Sequence, residues 1–380
     1  MHIDSLLRPW YDAAIAQVPG VECFDAHTHL GQHDPDGFKQ SPAELLAVLD
    51  SADAIGCFVF PMHEPDGYPA ANDAVLAVAR ETDPQRLVPF CRVNPHVDAL
   101  AETERALAAG MRGIKLHPRA EQFGLDHPAV RGLFAIADER SLPILIHAGR
   151  GIPALGAHAV QLAREFPNAR PILAHAAVCD LGWIWRAAAE TPNLLFDSAW
   201  WLGADLRALF SLAPPAQILF ASDAPYGHTL VAAIGQIRLA LQLGLSQDQI
   251  RLLMSGQARR VAAHEPLAVA GPAVGERERA PHTLLDRVTE LLQTATMLSF
   301  RGATDGAAEM LALARLACNV PPEIDDYPVF SAIRSLLDAH AVLSLDQPED
   351  RRRHALLMLA ANVAATPDVE LPSVPLPDQS

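Results

Sequence analysis

Residues 23–31 read CFDAHTHLG, an apolar run broken at alternate positions by Asp25, His27 and His29. In a β-strand successive side chains point to opposite faces, so these three polar groups would share one face. His27 and His29 would then stand about 6.5–7 Å apart, a span that one metal ion bridges with two imidazoles. Two histidines alone hold a metal weakly, and the pair reads equally well as loop residues without a ligand. What surrounds the stretch has to decide.

The stretch is the first of eight similar runs between residues 20 and 262: VECFDAH, IGCFVFP, RLVPFCRV, MRGIKLHP, LPILIHAG, RPILAHA, NLLFDSA and QILFASDA. Helical patterns lie between them, such as SPAELLAVLDSADA, where Ser41 and Glu44 form a capping-box signature. Strands this apolar suit a parallel sheet covered on both faces, and eight βα units in one domain predict a (β/α)8 TIM barrel. The rival, an open doubly wound sheet, lacks the GxGxxG turn after its first strand. Several runs also end in an ionisable group: His27 and His29, His63 just past the second run, Lys115 and His117, His147, His175, Asp197 and Asp223. Every strand of a barrel opens its C-terminal end onto one face, so these groups would converge in a single pocket.

Composition narrows the function. The chain has 380 residues, of which 50% are hydrophobic and 19% charged, the balance of a globular protein with a large core. Its 29 basic and 45 acidic residues give a formal net charge of −16, which argues against nucleic acid or an anionic membrane as partner. No apolar run approaches the length of a membrane span, and the N-terminus lacks a signal-peptide layout. Five cysteines without a CxxC spacing point to free thiols in a reducing cytoplasm. The expected partner is therefore a small-molecule substrate.

Taken in order, DAHTHL, GIKLHP, ILIHAG, ILAHA and FASDAPYG resemble the amidohydrolase superfamily. More narrowly they are similar to the branch that includes aminocarboxymuconate-semialdehyde decarboxylase and assorted lactone and amide hydrolases. The resemblance spans about residues 21–263 and implies a divalent metal, usually zinc, at the C-terminal face of the barrel. Carried over by motif, His27, His29, His147 and Asp223 would be its ligands, and His175 the acid/base group or a second-metal ligand. Three neutral imidazoles and one carboxylate suit Zn²⁺ and leave room for a water, whose proton Asp223 could accept. In some members of the superfamily the lysine of the fourth strand is carboxylated and bridges two metals. Lys115 is accordingly a bridge, a substrate-facing ammonium or a salt bridge in the wall; His117, His63 and Arg150 are further substrate-binding or second-metal candidates. Beside the pocket, SAWWLG offers two tryptophans to a planar or apolar substrate.

The expected reaction is attack of metal-activated water on an amide, lactone or related C–X bond. Non-oxidative decarboxylation of an unsaturated or aromatic acid is the alternative on the same fold. A catalytically inactive barrel serving as a binding or assembly module is the alternative of another class.

After residues 1–263, the barrel, the pattern changes. Residues 264–281 read as a linker, residues 282–366 as an all-helical domain of four amphipathic stretches, and residues 367–380 as a proline-rich tail. With eight βα units complete by residue 263, a chain ending near Glu265 should fold alone. The extension would then serve as a subunit contact of a homo-oligomer, or as a lid.

Overall fold

The protein was described from a computed structural model, which covers residues 3–83, 86–275, 282–346 and 351–373. The end of the expected linker, 276–281, and of the proline-rich tail, 374–380, lie outside the described residues.

Eight strands form one parallel sheet in sequence order: β1 (Cys23–Leu30), β2 (Ala54–Pro61), β3 (Leu87–Arg92), β4 (Gly113–Leu116), β5 (Pro143–Ile146), β6 (Arg170–Leu173), β7 (Leu195–Asp197) and β8 (Ile218–Leu219). The amide of Ala26 donates to Phe220 O at 2.8 Å and that of His29 to Ala224 O at 2.9 Å, which brings the end of the sheet back onto β1. The result is a TIM barrel followed by C-terminal helices, as the eight-run pattern predicts. Phe24, Phe58, Phe60, Phe90, Leu145 and Ile172 belong to one buried cluster that fills the barrel, while the alternate positions pack outward on the helices. Ser41 and Glu44 form the capping box read from the sequence, with Ser41 N donating to Glu44 Oε2 at 2.8 Å.

β1 departs from simple alternation. Asp25 pairs with Cys57 but Thr28 pairs with Val59, so β1 carries one residue more than β2 across that interval. This bulge breaks the period of two. Asp25 therefore does not share the histidines' face: its carboxylate accepts from Ser222 Oγ at 2.5 Å and Thr229 Oγ1 at 3.1 Å. His27 and His29, beyond the extra residue, both turn into the barrel mouth.

Two segments wrap the barrel. A helix not read from the sequence, Ile3–Ala16, buries Leu6, Leu7, Trp10 and Tyr11 and packs on the helix after β8, Thr229–Leu243. The C-terminal helices, Thr283–Phe300, Thr304–Ala317, Tyr327–Asp346 and His354–Ala365, occupy the four stretches expected. They do not bury their apolar faces only among themselves. His354–Ala365 is buried along most of its length, because it packs both on Thr283–Phe300 and Tyr327–Asp346 and on the barrel helix Thr229–Leu243. The change of pattern at residue 263 is thus not a gap in packing, and residues on both sides of it share one core cluster.

Arg238 holds that seam. Only 2% exposed, it donates from Nε to Thr366 Oγ1 (3.1 Å), from Nη2 to Thr366 O (3.0 Å) and from Nη1 to Glu370 O (2.9 Å), and lies over the Trp10 ring. Burial pushes its guanidinium down to about 10. Removing the side chain strips the carbonyls of their donors and opens a cavity, so Arg238→Ala is expected to destabilise the protein by about 3 kcal/mol. Urea unfolding followed by circular dichroism measures this. A loss below about 1 kcal/mol, the worth of a single ordinary hydrogen bond, would show that the seam adds little to the fold.

Candidate active site

The strand ends deliver their polar groups to one place. His27 Nε2, His29 Nε2 and Asp223 Oδ1 lie 3.1 Å from one another. Asp223 reaches this position because its amide donates to His27 O at 3.0 Å, with its backbone in the left-handed region at φ 64°. A non-glycine residue held there carries a local cost of order 1 kcal/mol, tolerated where surrounding bonds over-determine it.

Hydrogen bonds assign the protons. His27 Nδ1 lies 2.7 Å from Asp197 Oδ2, so the carboxylate takes the Nδ1 proton and leaves a lone pair on Nε2. Asp197 Oδ1 accepts from the amides of His175 (2.8 Å) and Ala199 (3.0 Å). Asp197 thus holds three donors at once, which suits it to orienting His27, although it also lies close enough to His27 and His175 to join a metal group. His175 Nδ1 sits 2.8 Å from Ala199 O, which can only accept; its proton is on Nδ1 and its Nε2 is an acceptor. His147 Nδ1, 2.9 Å away, donates to that Nε2. The chain of bonds leaves His147 Nε2 as a lone pair, and this atom is buried without a partner.

Burial holds the imidazoles neutral. His27, His29 and His147 are all pushed well below the usual histidine range by loss of solvent, with the nearby Lys115 charge adding to the effect. Burial also lifts the Asp223 carboxyl well above the ordinary range, opposed by Lys115. Crowding two imidazole nitrogens and a carboxylate oxygen to 3.1 Å of one another is unfavourable unless a cation or shared protons lie among them. The group of His27, His29 and Asp223 therefore fits a divalent metal.

Lys115 is fully buried, with Nζ 3.4 Å from His27 Nε2 and 4.6 Å from the Phe60 ring centroid. Burial, and Arg92 beside it, push its ammonium down to about 7. His117 stacks on His147 at 3.9 Å between ring centroids, and its Nδ1 accepts from Ala120 N, so its proton is on Nε2. Arg150 lies over the rings of both Trp200 and Trp201. His63 follows β2, half-buried, and is not among the residues lining the cavity over this site.

Sequence reasoning missed Arg92. It ends β3, points into the barrel opposite Lys115 and pairs with buried Glu121 at 2.7 Å. Its signal was present: it is the ionisable group at the end of RLVPFCRV. For Asp197 the sequence indicated the place but not the role.

A family model described as amidohydrolase matches residues 24–261. Among solved structures, the chain is similar to an uncharacterised TIM-barrel protein from Bordetella bronchiseptica, at 17% identity and a TM-score of 0.52 over 64% of this chain and 99% of that one. It is similar to IDCase of Metarhizium anisopliae in its apo form, at 14% identity and a TM-score of 0.53, covering 67% of this chain and 100% of the other. It is similar also to 2,6-dihydroxybenzoate decarboxylase complexed with 2,6-dihydroxybenzoate, at 14% identity and a TM-score of 0.50, with 64% and 98% covered. At such identities the likeness is one of fold. No curated protein matches the chain.

Asp197→Asn tests the proton assignment. An amide cannot serve both the His27 Nδ1 proton and two backbone amides as the carboxylate does, so affinity for divalent metal should fall about 10–100-fold. Competition with a chelating indicator reads the affinity directly, and an unchanged value would mean that Asp197 does not orient His27.

Proposed function

The chain belongs to the amidohydrolase family, and on that premise we propose that it is a metal-dependent hydrolase of an amide, lactone or related C–X bond in a small molecule. The observation that carries this reading is the convergence of His27 Nε2, His29 Nε2 and Asp223 Oδ1 within 3.1 Å beside the unpartnered His147 Nε2. The family typically binds a divalent metal, and His27, His29 and Asp223 would hold one, most simply a single Zn²⁺ per chain, with His147 as the fourth ligand the motif implies. When bound, such an ion lowers the pKa of water towards neutrality and polarises a carbonyl.

The chain's own groups divide the remaining work. Asp197 keeps the His27 lone pair aimed at the site. Asp223 Oδ2, 4.0 Å from His175 Nδ1, can take a proton from the attacking water and deliver it to the leaving atom. His175 is engaged at both ring nitrogens, so it acts as acid/base only after the bond from His147 opens. His117 does not line the cavity and acts through His147, on whose ring it stacks. Lys115 adds positive charge where an oxyanion would develop.

Decarboxylation of an unsaturated or aromatic acid remains the second reading, favoured by the cationic and indole surfaces of Arg150, Trp200 and Trp201, which suit a planar carboxylate. The free cysteines, Cys23, Cys57, Cys91 and Cys318 among them buried, suit a cytoplasmic location. Among the described residues no helix is long and apolar enough to cross a membrane. Exposed Leu316 and Leu345 on the C-terminal helices suit a contact between copies of the chain.

A panel of lactones, amides and carboxylated aromatics, with carbon dioxide release followed in parallel, separates the two reactions. Asp223→Asn should reduce kcat about 10²–10⁴-fold on any hydrolysed member of the panel, because an amide cannot accept the water's proton. Wild-type activity in that variant would remove Asp223 from the reaction. Carbon dioxide release without hydrolysis would establish the second reading instead.

Lys115→Ala separates one metal from two. With an unmodified lysine, the variant should raise KM while keeping about one equivalent of metal per chain, measured by atomic emission. Two ions per wild-type chain, both lost in the variant, would show a carboxylated bridge.

A further inference from the structure

The family model ends at residue 261, yet the cavity over the site does not end with the barrel. A cavity of about 350 Å³ begins at His147, His175 and Asp223 and runs outward between the barrel and the C-terminal helices. At its mouth the aromatic wall is continuous across the two parts: Trp200 faces Trp201 at 5.7 Å between ring centroids, and Trp201 meets Phe300 edge-on at 5.1 Å. Further out, the barrel helix Thr229–Leu243 and the C-terminal helix His354–Ala365 form opposite sides.

The lining of this outer part is aliphatic and small. Ala232, Gly235 and Leu239 face Met358, Ala361 and Ala365. Gly235 sits inside a helix, where glycine is less favourable than alanine, and a Cβ there would stand 3.4 Å from Asn362 Nδ2. With no Cβ there, Asn362 packs directly against the Gly235 backbone and the two helices approach closely. Of the lining polar groups, Gln236 and Asn362 are engaged, while His228 Nδ1 is buried without a partner. Gln236 accepts from Ser198 Oγ at 2.5 Å and donates to Ala221 O at 3.0 Å; Asn362 Nδ2 donates to Gly235 O at 2.9 Å, leaving Asn362 Oδ1 as one open acceptor. Water gains few partners in such a space, whereas methylene groups gain dispersion contacts and lose no hydrogen bonds.

We propose that the C-terminal helices complete the active-site cavity as a specificity wall for an aliphatic chain carried by the substrate, the chain running from the reacting carbonyl between Ala232 and Ala365. The proposal rests on the reading above that His147 and Asp223 mark the reacting end. Continuity of the cavity with those residues selects this occupant: a chain attached to the reacting group is the ligand that would enter from that end. Met358 and Phe300 then select substrates without touching the bond that reacts.

Straight-chain alkanoates are suitable probes, with the carboxylate standing in for the reacting group. Calorimetric titration of the full-length protein with butanoate, hexanoate and octanoate should show affinity rising about threefold to fourfold for each added methylene. Ala232→Leu and Ala365→Leu fill the groove from opposite sides, and each should cut the octanoate-to-butanoate affinity ratio about tenfold or more. Thermal melts establish which variants are folded, and a single folded one is enough for the test. Met358→Ala should shift the preferred chain towards longer acids. Affinity that is flat with chain length, or a ratio unchanged in a folded groove-filling variant, overturns the proposal. The titration needs no turnover, so the two readings fail separately. Chain-length dependence without hydrolysis of any lactone or amide would count against the hydrolase reading alone. Hydrolysis of short lactones with flat alkanoate affinity would count against the specificity wall alone.

Discussion

Closure of the barrel between β8 and β1 is the constraint from which the site follows. The His29 amide donates to Ala224 O and the Asp223 amide to His27 O, so the two histidines and the carboxylate are fixed by one backbone seam. None of these three side chains needs a long or flexible reach. Their approach to 3.1 Å is set by main-chain bonds formed whenever the barrel closes, and the left-handed backbone at Asp223 is maintained by the same bonds. Preorganisation of this kind matters for a metal site, because ligands already in place lose little conformational entropy on binding.

Around that seam, electrostatics are balanced by burial together with one buried ion pair. Arg92 is matched by Glu121, which in turn takes a hydrogen bond from Tyr68. Lys115 has no such dedicated carboxylate; Asp197 and Asp223 favour its charge, while desolvation and Arg92 oppose it. Neutral histidines and a lysine whose charge is disfavoured by burial leave the centre able to accept positive charge with reduced like-charge repulsion. A Lys115 fully charged beside a divalent ion would oppose the ion's binding, so the same shift that makes the lysine labile makes the site tolerable to a metal.

Much of this was legible in the sequence because strand ends in a barrel are local features: a few apolar residues followed by one ionisable group is visible without knowing any contact. His27, His29, Lys115, His147, His175 and Asp223 were found that way, and Arg92 was there to be found. The bulge in β1 was not legible, since it exists only in the register between β1 and β2; the alternation that grouped Asp25 with the histidines was correct chemistry applied to the wrong period. The roles of Asp197 and His175 depend on which carbonyls and amides face them across neighbouring loops, and no spacing in the chain encodes that. The helix Ile3–Ala16 was overlooked because Pro9 interrupts its pattern, although its buried Leu6, Leu7 and Trp10 recur at helical spacing.

The C-terminal helices show why a change of sequence pattern need not mark a change of function. Each has an apolar stripe, and stripes alone are compatible with a separate bundle. Gly235 and Arg238 decide otherwise, and both lie on the barrel side of the boundary. Arg238 can be buried only if chain beyond residue 365 supplies its acceptors, and the Gly235 carbonyl takes a hydrogen bond from Asn362 only because another helix lies against it. One helix, His354–Ala365, therefore serves the core on one face and the cavity on another. Stability and substrate selection are coupled through it: a substitution that reshapes the cavity from that side must also repack against Thr229–Leu243, the helix that begins six residues after Asp223. Small residues at Ala361 and Ala365 satisfy both demands, because they allow close helix packing while leaving the volume a chain would fill.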